Sequence, residues 1–251
     1  MDLAVRDRFA ELWREHFPGA ELPLAFYYTD DGSRAARAPG KGPHCFIAAL
    51  EEVRNGVSLS FDEAAVGCGG GKRYLGFSRS VGPNFAYFLS CGIPGQVEGE
   101  RYKKTPALVE EWMKHQPAFT APGKFVVFKR WDALGADDEP SVVVFFAQPD
   151  VLSGLYTLAC YDESDPDAVI APMGSGCSSI VYYPYRESVS ASGHAVLGMF
   201  DVSARPCVPF NALTLAVPWR KFERMIENMP GSFLATRSWE KVRRRIASIS
   251  S

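Results

Sequence analysis

The chain of 251 residues is 47% hydrophobic and 22% charged, a balance that indicates a folded globular protein and excludes a disordered one. Its 27 basic and 29 acidic residues give a formal charge of -2, so no overall field attracts nucleic acid or an anionic membrane. The N-terminal segment lacks the apolar core of a signal peptide, and no later run approaches the roughly 18 apolar residues of a membrane span. We therefore expect a cytoplasmic protein that binds small molecules, with neither a nucleic-acid nor a membrane partner.

The first part of the chain alternates helical and extended patterns. Apolar residues at helical spacing predict the first helix, which Pro18 and Gly19 close. In chain order we predict a helix over 2–17, a strand over 22–28, a loop over 29–44, a helix over 45–55 and a strand over 57–61. The next stretch, AVGCGGGKRYLGF at 65–77, has three consecutive glycines, which argue against a regular element.

The remaining patterns predict further helices and strands. The glycine-rich stretch 91–104 predicts a loop over a cleft, and a threonine cap with an early proline predicts a helix over 105–117. The two clearest strands, 124–131 and 141–148, are separated by a polar turn and together predict a hairpin. After them we predict a helix over 150–161, strands over 168–173, 178–185 and 213–218, and terminal helices over 219–233 and 236–250.

The order of these elements repeats. A strand, a helix, a strand and a glycine-bound cysteine occur twice, ending once at Cys68 and once at Cys177. This pattern predicts an α+β fold, in which mixed or antiparallel sheets are flanked by helices, and an internal duplication into similar halves of about 18–120 and 121–235. We expect a single domain in which the two cysteines face one pocket at the junction of the halves, where ligand sites often form.

The glycines around Cys68 are suited to a ligand that approaches the main chain, because no side chain stands in the way. Successive amides in such a turn can bind an anion, and neighbouring cations strengthen their field. The stretch lacks the P-loop pattern, since Arg73 stands where that motif has a hydroxyl. The predicted ligand-binding residues are Gly69, Gly70, Gly71, Lys72, Arg73, Ser178 and Ser179.

Six cysteines and the absence of any CxxC pair indicate free thiols in a reducing compartment. Three uses remain open. The thiols of Cys45, Cys68 and Cys177 can hold a metal or an iron–sulfur cluster, with a fourth ligand from Cys91, Cys207, His44 or an outside molecule. Cys68 or Cys177 can act as a nucleophile with His194 or His44 as its base. Alternatively, the cysteines are compact fillers of tight turns.

The stretch CFIAALEEVRNGVSLSFDEAAVGCGGGKRYLGF, together with the late GSGCSSIVYYPY, resembles domain of unknown function 169, a family of prokaryotic proteins. The resemblance covers residues 8 to about 240. It implies that Cys45, Cys68 with Gly70 and Gly76, and Cys177 with its following serines are the family's defining features. It implies no activity.

The resemblance favours cysteines that meet at one site over cysteines that only fill space in tight turns. Our leading hypothesis is therefore a cysteine-lined pocket between two halves in which Cys45, Cys68 and Cys177 bind a metal, with an iron–sulfur cluster as one form. The alternatives are a non-catalytic protein that binds an anionic small molecule through its glycine turns, and an enzyme with a cysteine nucleophile.

Overall fold

The fold was analysed in a computed structural model that describes residues 1–39, 45–191 and 193–249. In these ranges the strands are β1 (Leu24–Thr29), β2 (Ala36–Arg37), β3 (Leu59–Phe61), β4 (Phe125–Arg130), β5 (Val142–Ala147), β6 (Val169–Ile170), β7 (Ala195–Gly198) and β8 (Leu213–Pro218). The α-helices are α1 (Leu3–His16), α2 (Phe46–Arg54), α3 (Gly69–Tyr74), α4 (Phe85–Phe88), α5 (Pro106–Lys114), α6 (Pro149–Ala159), α7 (Tyr183–Ser188), α8 (Trp219–Asn228) and α9 (Arg237–Ile249). A π-helix at Ser178–Tyr182 precedes α7.

All eight of these strands belong to one mixed sheet, in the order β2-β3-β4-β1-β5-β8-β7-β6. The pairs β2–β3 and β6–β7 are parallel, and every other neighbouring pair is antiparallel. The predicted α+β class with a mixed sheet is therefore confirmed. Within the described ranges, no helix combines the length and the apolar character needed to cross a bilayer.

The two halves of the sheet have the same topology. Counted outward from the centre, the first four strands lie in the order β1-β4-β3-β2 and the last four in the order β5-β8-β7-β6. Corresponding neighbours also pair in the same sense, and β1 meets β5 antiparallel at the centre, where Leu24 lies opposite Val144. This likeness is one of strand order; the internal duplication and its boundaries stay predictions.

Helices cover both faces of the sheet. On one face α1, α6, α8 and α9 pack against side chains such as Val143 and Phe145. On the other face α2, α3 and the π-helix pack against side chains such as Phe128 and Val144. Because both faces are covered, all six residues of β5 are buried, as its continuous apolar sequence predicts. The second face carries the cysteines discussed below.

The predicted hairpin of 124–131 with 141–148 is wrong. β1 lies between β4 and β5 and pairs antiparallel with both. The strands β4 and β5 therefore run in the same direction, which a hairpin turn cannot produce. Their shared partner comes from more than ninety positions earlier in the chain.

The predicted strand over 178–185 is helical in the structure. The π-helix is buried along its whole length and continues directly into α7. A short apolar run of this kind has no periodicity that separates a strand from a buried helix, so the pattern could not decide.

Two stretches without predicted elements contain short ones. The glycine stretch 65–77 forms α3, whose first turn is stabilised because the Cys68 sulfur accepts a hydrogen bond from the Gly71 N–H at 3.2 Å. The predicted loop over 29–44 contains β2 and a 3-10 turn at Gly32–Arg34.

Candidate functional site

The segments that carry the predicted cysteines meet on the second face of the sheet. Cys45 is the N-cap of α2, Cys68 is the N-cap of α3, and Cys177 immediately precedes the π-helix. Cys177 belongs to the buried core of this face, and Cys45 and Cys207 pack against that core. Distant parts of the sequence therefore bring thiols to one region.

The Cys68 sulfur is surrounded by hydrogen-bond donors. The backbone N–H of Gly71 donates to it at 3.2 Å, and the Cys177 thiol and the Phe46 N–H act on its pKa as further donors. The Cys177 hydrogen bond is the main cause that lowers the pKa of Cys68 from 9.0 to about 6; burial opposes it, and the backbone donors add to it. A thiol with this pKa is largely ionised at neutral pH.

Cys177 is the protonated partner. Only 6% of it is exposed. The hydrogen bond to Cys68 and burial raise its pKa well above the ordinary value, and the charges of Cys68 and Cys45 raise it further. We call Cys68 and Cys177 the cavity pair.

A second thiol contact joins Cys45 and Cys207, which we call the second pair. Burial raises the pKa of Cys207, and the charge of Cys45 and a hydrogen bond to it raise it further. Both residues are partly exposed.

The two pairs occupy equivalent places in the topology. Cys45 lies between β2 and β3 as Cys177 lies between β6 and β7, and Cys68 follows β3 as Cys207 follows β7. The contact of Cys68 with Cys177 thus corresponds to the contact of Cys207 with Cys45. The sequence pattern matches Cys68 of the first half to Cys177 of the second half. The strand order instead matches Cys68 to Cys207 and Cys45 to Cys177.

Cys68 lies on the wall of a cavity of about 740 Å³. Residues before β4 and residues around β7 both line it, so its walls come from the two halves of the sheet. Most of its lining is apolar, with aromatic and methionine side chains dominant. These are Tyr74, Phe85, Phe88, Tyr102, Trp112, Met173, Met199 and Phe200.

Arg73 is the buried cation of this cavity. It is 8% exposed, and its Nη1 and Nη2 donate to the carbonyl oxygens of Arg79 and Gln116, both at 2.8 Å. These partners are neutral. Within the described ranges no carboxylate lies within ion-pair distance of Arg73.

The acidic residue Asp201 also lines the cavity, and its carboxylate already has hydrogen-bond partners. Its carboxylate accepts hydrogen bonds from the Gly176 N–H at 2.9 Å and from the Tyr102 hydroxyl at 3.2 Å. Tyr102 belongs to the stretch 91–104 that predicts a loop over a cleft, and Glu100 and Lys103 from the same stretch also line the cavity.

The predicted ligand-binding residues divide into two sets. Four of them line the cavity, namely Gly69, Gly70, Arg73 and Ser179. The other three, Gly71, Lys72 and Ser178, do not. Ser178 is fully buried and its hydroxyl donates to the Ser175 carbonyl at 2.7 Å, while Gly71 packs beneath the Cys68 sulfur.

His194, one of the two histidines predicted as a base, is not brought to Cys68. His194 precedes β7 and its Nδ1 lies 3.0 Å from Glu187, whereas the cavity lies beyond the other end of that strand, at Met199. Five residues of extended chain span roughly 16 Å. His44 lies outside the described residues.

No metal site is evident in the ranges that the structure describes, where no group of three or more His, Cys, Asp or Glu side chains is arranged to hold a metal ion. The metal site predicted at Cys45, Cys68 and Cys177 therefore stays a prediction.

Sequence reasoning missed one further residue of the cavity wall, Met199. Met199 has a φ of 67°, in the left-handed region that side chains other than glycine rarely adopt, and it is buried. Its N–H donates to the Ser179 hydroxyl at 3.3 Å. Backbone strain of this kind is concentrated at functional sites, and no composition pattern reveals it.

Together, these features define an α+β protein with one eight-stranded mixed sheet and a cysteine on the wall of an apolar cavity. A family model described as uncharacterised ArCR, domain of unknown function 169, matches residues 20–228. The chain belongs to this family, and the predicted family membership is confirmed. No curated protein and no solved structure matches the chain.

The ionisation of Cys68 can be measured by its alkylation rate. Because only the thiolate reacts, the rate with iodoacetamide should be constant above pH 7 and fall below a midpoint near pH 6. In Cys177→Ala, which lacks the thiol donor, we expect the midpoint to rise by about one to two pH units. Peptide mass spectrometry at each pH gives the rate at Cys68. The control Cys160→Ala should leave the midpoint unchanged; an unchanged midpoint in Cys177→Ala would contradict the hydrogen-bond assignment.

A methyl group added at two different glycines of α3 should change the free energy of unfolding in opposite directions. A Cβ at Gly70 meets nothing within 4 Å, so Gly70→Ala should raise the free energy of unfolding by about 0.5–1 kcal/mol through helix propensity. A Cβ at Gly71 would lie 2.7 Å from Val66 and 2.9 Å from the Cys68 sulfur, so Gly71→Ala should lower it by about 1–3 kcal/mol. Urea denaturation of both variants tests this, and equal effects would contradict the packing around Cys68.

Proposed function

We propose that the protein binds a small molecule with an apolar body and an anionic group in the cavity beside Cys68, and that Arg73 pairs with the anion. One observation carries this proposal. Arg73 is 8% exposed on the wall of an apolar cavity, and its guanidinium has only neutral hydrogen-bond partners.

A buried cation is costly unless an opposite charge compensates it. Arg73 has two carbonyl partners, which solvate its charge in part but do not neutralise it. A carboxylate, sulfonate or phosphate in the cavity would supply the missing charge, and the planar guanidinium suits such groups geometrically. The anionic character of the ligand follows from this argument.

The apolar character of its body follows from the walls. Aromatic and methionine side chains dominate the lining, and a volume of about 740 Å³ is typical of pockets that enclose small molecules. Gly69 and Gly70 add bare main chain, and a Cβ at either position would meet open space. A flat apolar ligand could therefore approach the backbone beside Cys68.

A matched pair of fluorescent probes tests the charge requirement. The anion 1-anilinonaphthalene-8-sulfonate and its uncharged counterpart N-phenyl-1-naphthylamine differ by one sulfonate. We expect the reduced protein to bind the sulfonate at least about tenfold more tightly, a difference of about 1.4 kcal/mol. In Arg73→Met this preference should disappear.

The neighbouring cation provides the control. Lys72 does not line the cavity, so Lys72→Met should retain the preference for the sulfonate. Urea denaturation of each variant checks that it is folded, because unfolded chains also bind these dyes. Equal affinity of the wild-type protein for both probes would reject the proposal without reference to any variant.

A second candidate function is a thiolate-bound metal or iron–sulfur cluster at Cys45, Cys68 and Cys177, with Cys207 as the fourth ligand. The arrangement of two equivalent thiol pairs on one face favours it, because iron–sulfur clusters are held by cysteine thiolates. The charge of Cys45 also acts on Cys177, which links the pairs.

Anaerobic purification followed by iron, zinc and sulfide assays tests this candidate. A cluster should give visible absorption and stoichiometric iron, which Cys45→Ser, Cys68→Ser and Cys177→Ser should each reduce by at least half. The variant Cys160→Ser should keep the full content, since its neighbours are Lys221 and Glu163. A colourless protein without stoichiometric metal would exclude the candidate.

A further inference from the structure

The cavity pair has an asymmetry that the binding proposal does not use. Cys68 is partly exposed and lines the cavity, whereas Cys177 lies behind it in the core. The helices that begin beside them, α3 and the π-helix, are in contact, and each thiol is the first cause of the shifted pKa of the other. In the described part of the chain, the second pair is the other such contact, while Cys91 and Cys160 have neighbours other than cysteine.

We propose that Cys68 and Cys177 form a redox-active dithiol that reacts with a small-molecule disulfide and closes to an intramolecular disulfide bond. Cys68 is the attacking residue and Cys177 is the resolving residue. This activity goes beyond the binding of an anionic ligand and does not depend on it.

The position of each residue assigns its role. A disulfide in solution reaches Cys68 through the cavity, and the Gly71 N–H donates to the attacking sulfur at 3.2 Å. Cys177 cannot meet the disulfide first, because it is 6% exposed and does not line the cavity.

The reaction balances in two exchange steps. The Cys68 thiolate attacks one sulfur of a disulfide RSSR, so that a Cys68–SR bond forms and RS⁻ leaves. The first RS⁻ takes the proton of Cys177, and the Cys177 sulfur then attacks the Cys68 sulfur, which releases the second RS⁻. In total, RSSR gains two electrons and leaves as one thiol and one thiolate, the latter taking a proton from water, and the two cysteines are oxidised to one disulfide.

The geometry requires a short approach of the two sulfurs. The two sulfurs must close to about 2.05 Å in a disulfide, which requires movement of their side chains. The segment after Cys177 is a π-helix, a type of helix that occurs frequently at functional sites. The equivalent second pair differs, because both of its members are partly exposed.

Oxidised glutathione is a suitable probe. The full-length reduced protein is incubated with it at pH 7.5, free thiols are blocked with N-ethylmaleimide, and tryptic peptides are mapped by mass spectrometry. We expect a cross-linked peptide pair containing Cys68 and Cys177. At early quench times we expect glutathione on Cys68 before the cross-link appears.

Variants separate the two steps. In Cys177→Ser the glutathione adduct on Cys68 should accumulate at least tenfold over the wild-type level, because no resolving thiol remains. Cys68→Ser should form neither adduct nor cross-link at Cys177, and the control Cys160→Ser should behave as the wild-type protein.

Three results would overturn the proposal: N-ethylmaleimide on both cysteines after oxidation, a cross-link from Cys68 to Cys45 or Cys207, or a bound metal that protects the thiols. The early time course uses the wild-type chain, so the test does not depend on the folding of any variant. The dye experiment uses reduced protein, so failure of either proposal is recognised separately.

Discussion

The antiparallel pairing of β1 with β5 at the centre of the sheet is the constraint on which the site depends. It joins two four-stranded halves whose strands follow the same order outward from the centre. Each half contains one parallel pair, which needs a crossover connection, and helices of both crossovers pack on the same face of the sheet. Cys45 begins the helix of one crossover and Cys177 begins that of the other.

This arrangement explains why thiols more than a hundred positions apart meet. The segment after β3 in one half contacts the crossover of the other half, and the segment after β7 does the same in return. The result is two thiol contacts on one face of the sheet, Cys68 with Cys177 and Cys45 with Cys207. At Cys68 the neighbouring thiol and the backbone donors favour the charged form more than burial disfavours it. The cavity lies beside Cys68 and supplies the access that Cys177 lacks.

Local patterns were sufficient to predict most of the helices and the class of the fold. They also pointed to Cys45, Cys68 and Cys177, because glycine and helix starts mark these positions. The neighbours of each strand were beyond local patterns, since the insertion of β1 between β4 and β5 depends on residues far apart in sequence. For the same reason the match of Cys68 with Cys207 was missed. The aromatic cavity wall was missed too, because its side chains come from five separate places in the chain that only the fold brings together.

The binding and redox proposals are linked through charge, because Arg73 and Cys68 line the same cavity. In the reduced protein the Cys68 thiolate contributes a negative charge that opposes the entry of an anion and partly offsets the charge of Arg73. Closure of the disulfide removes that charge and leaves Arg73 as the buried ion on the wall. An anionic ligand should therefore bind the oxidised protein more tightly than the reduced one. Since such coupling is reciprocal, the bound anion must favour oxidation by the same factor. A cavity built in this way would join the occupancy of its ligand site to the thiol–disulfide balance around it.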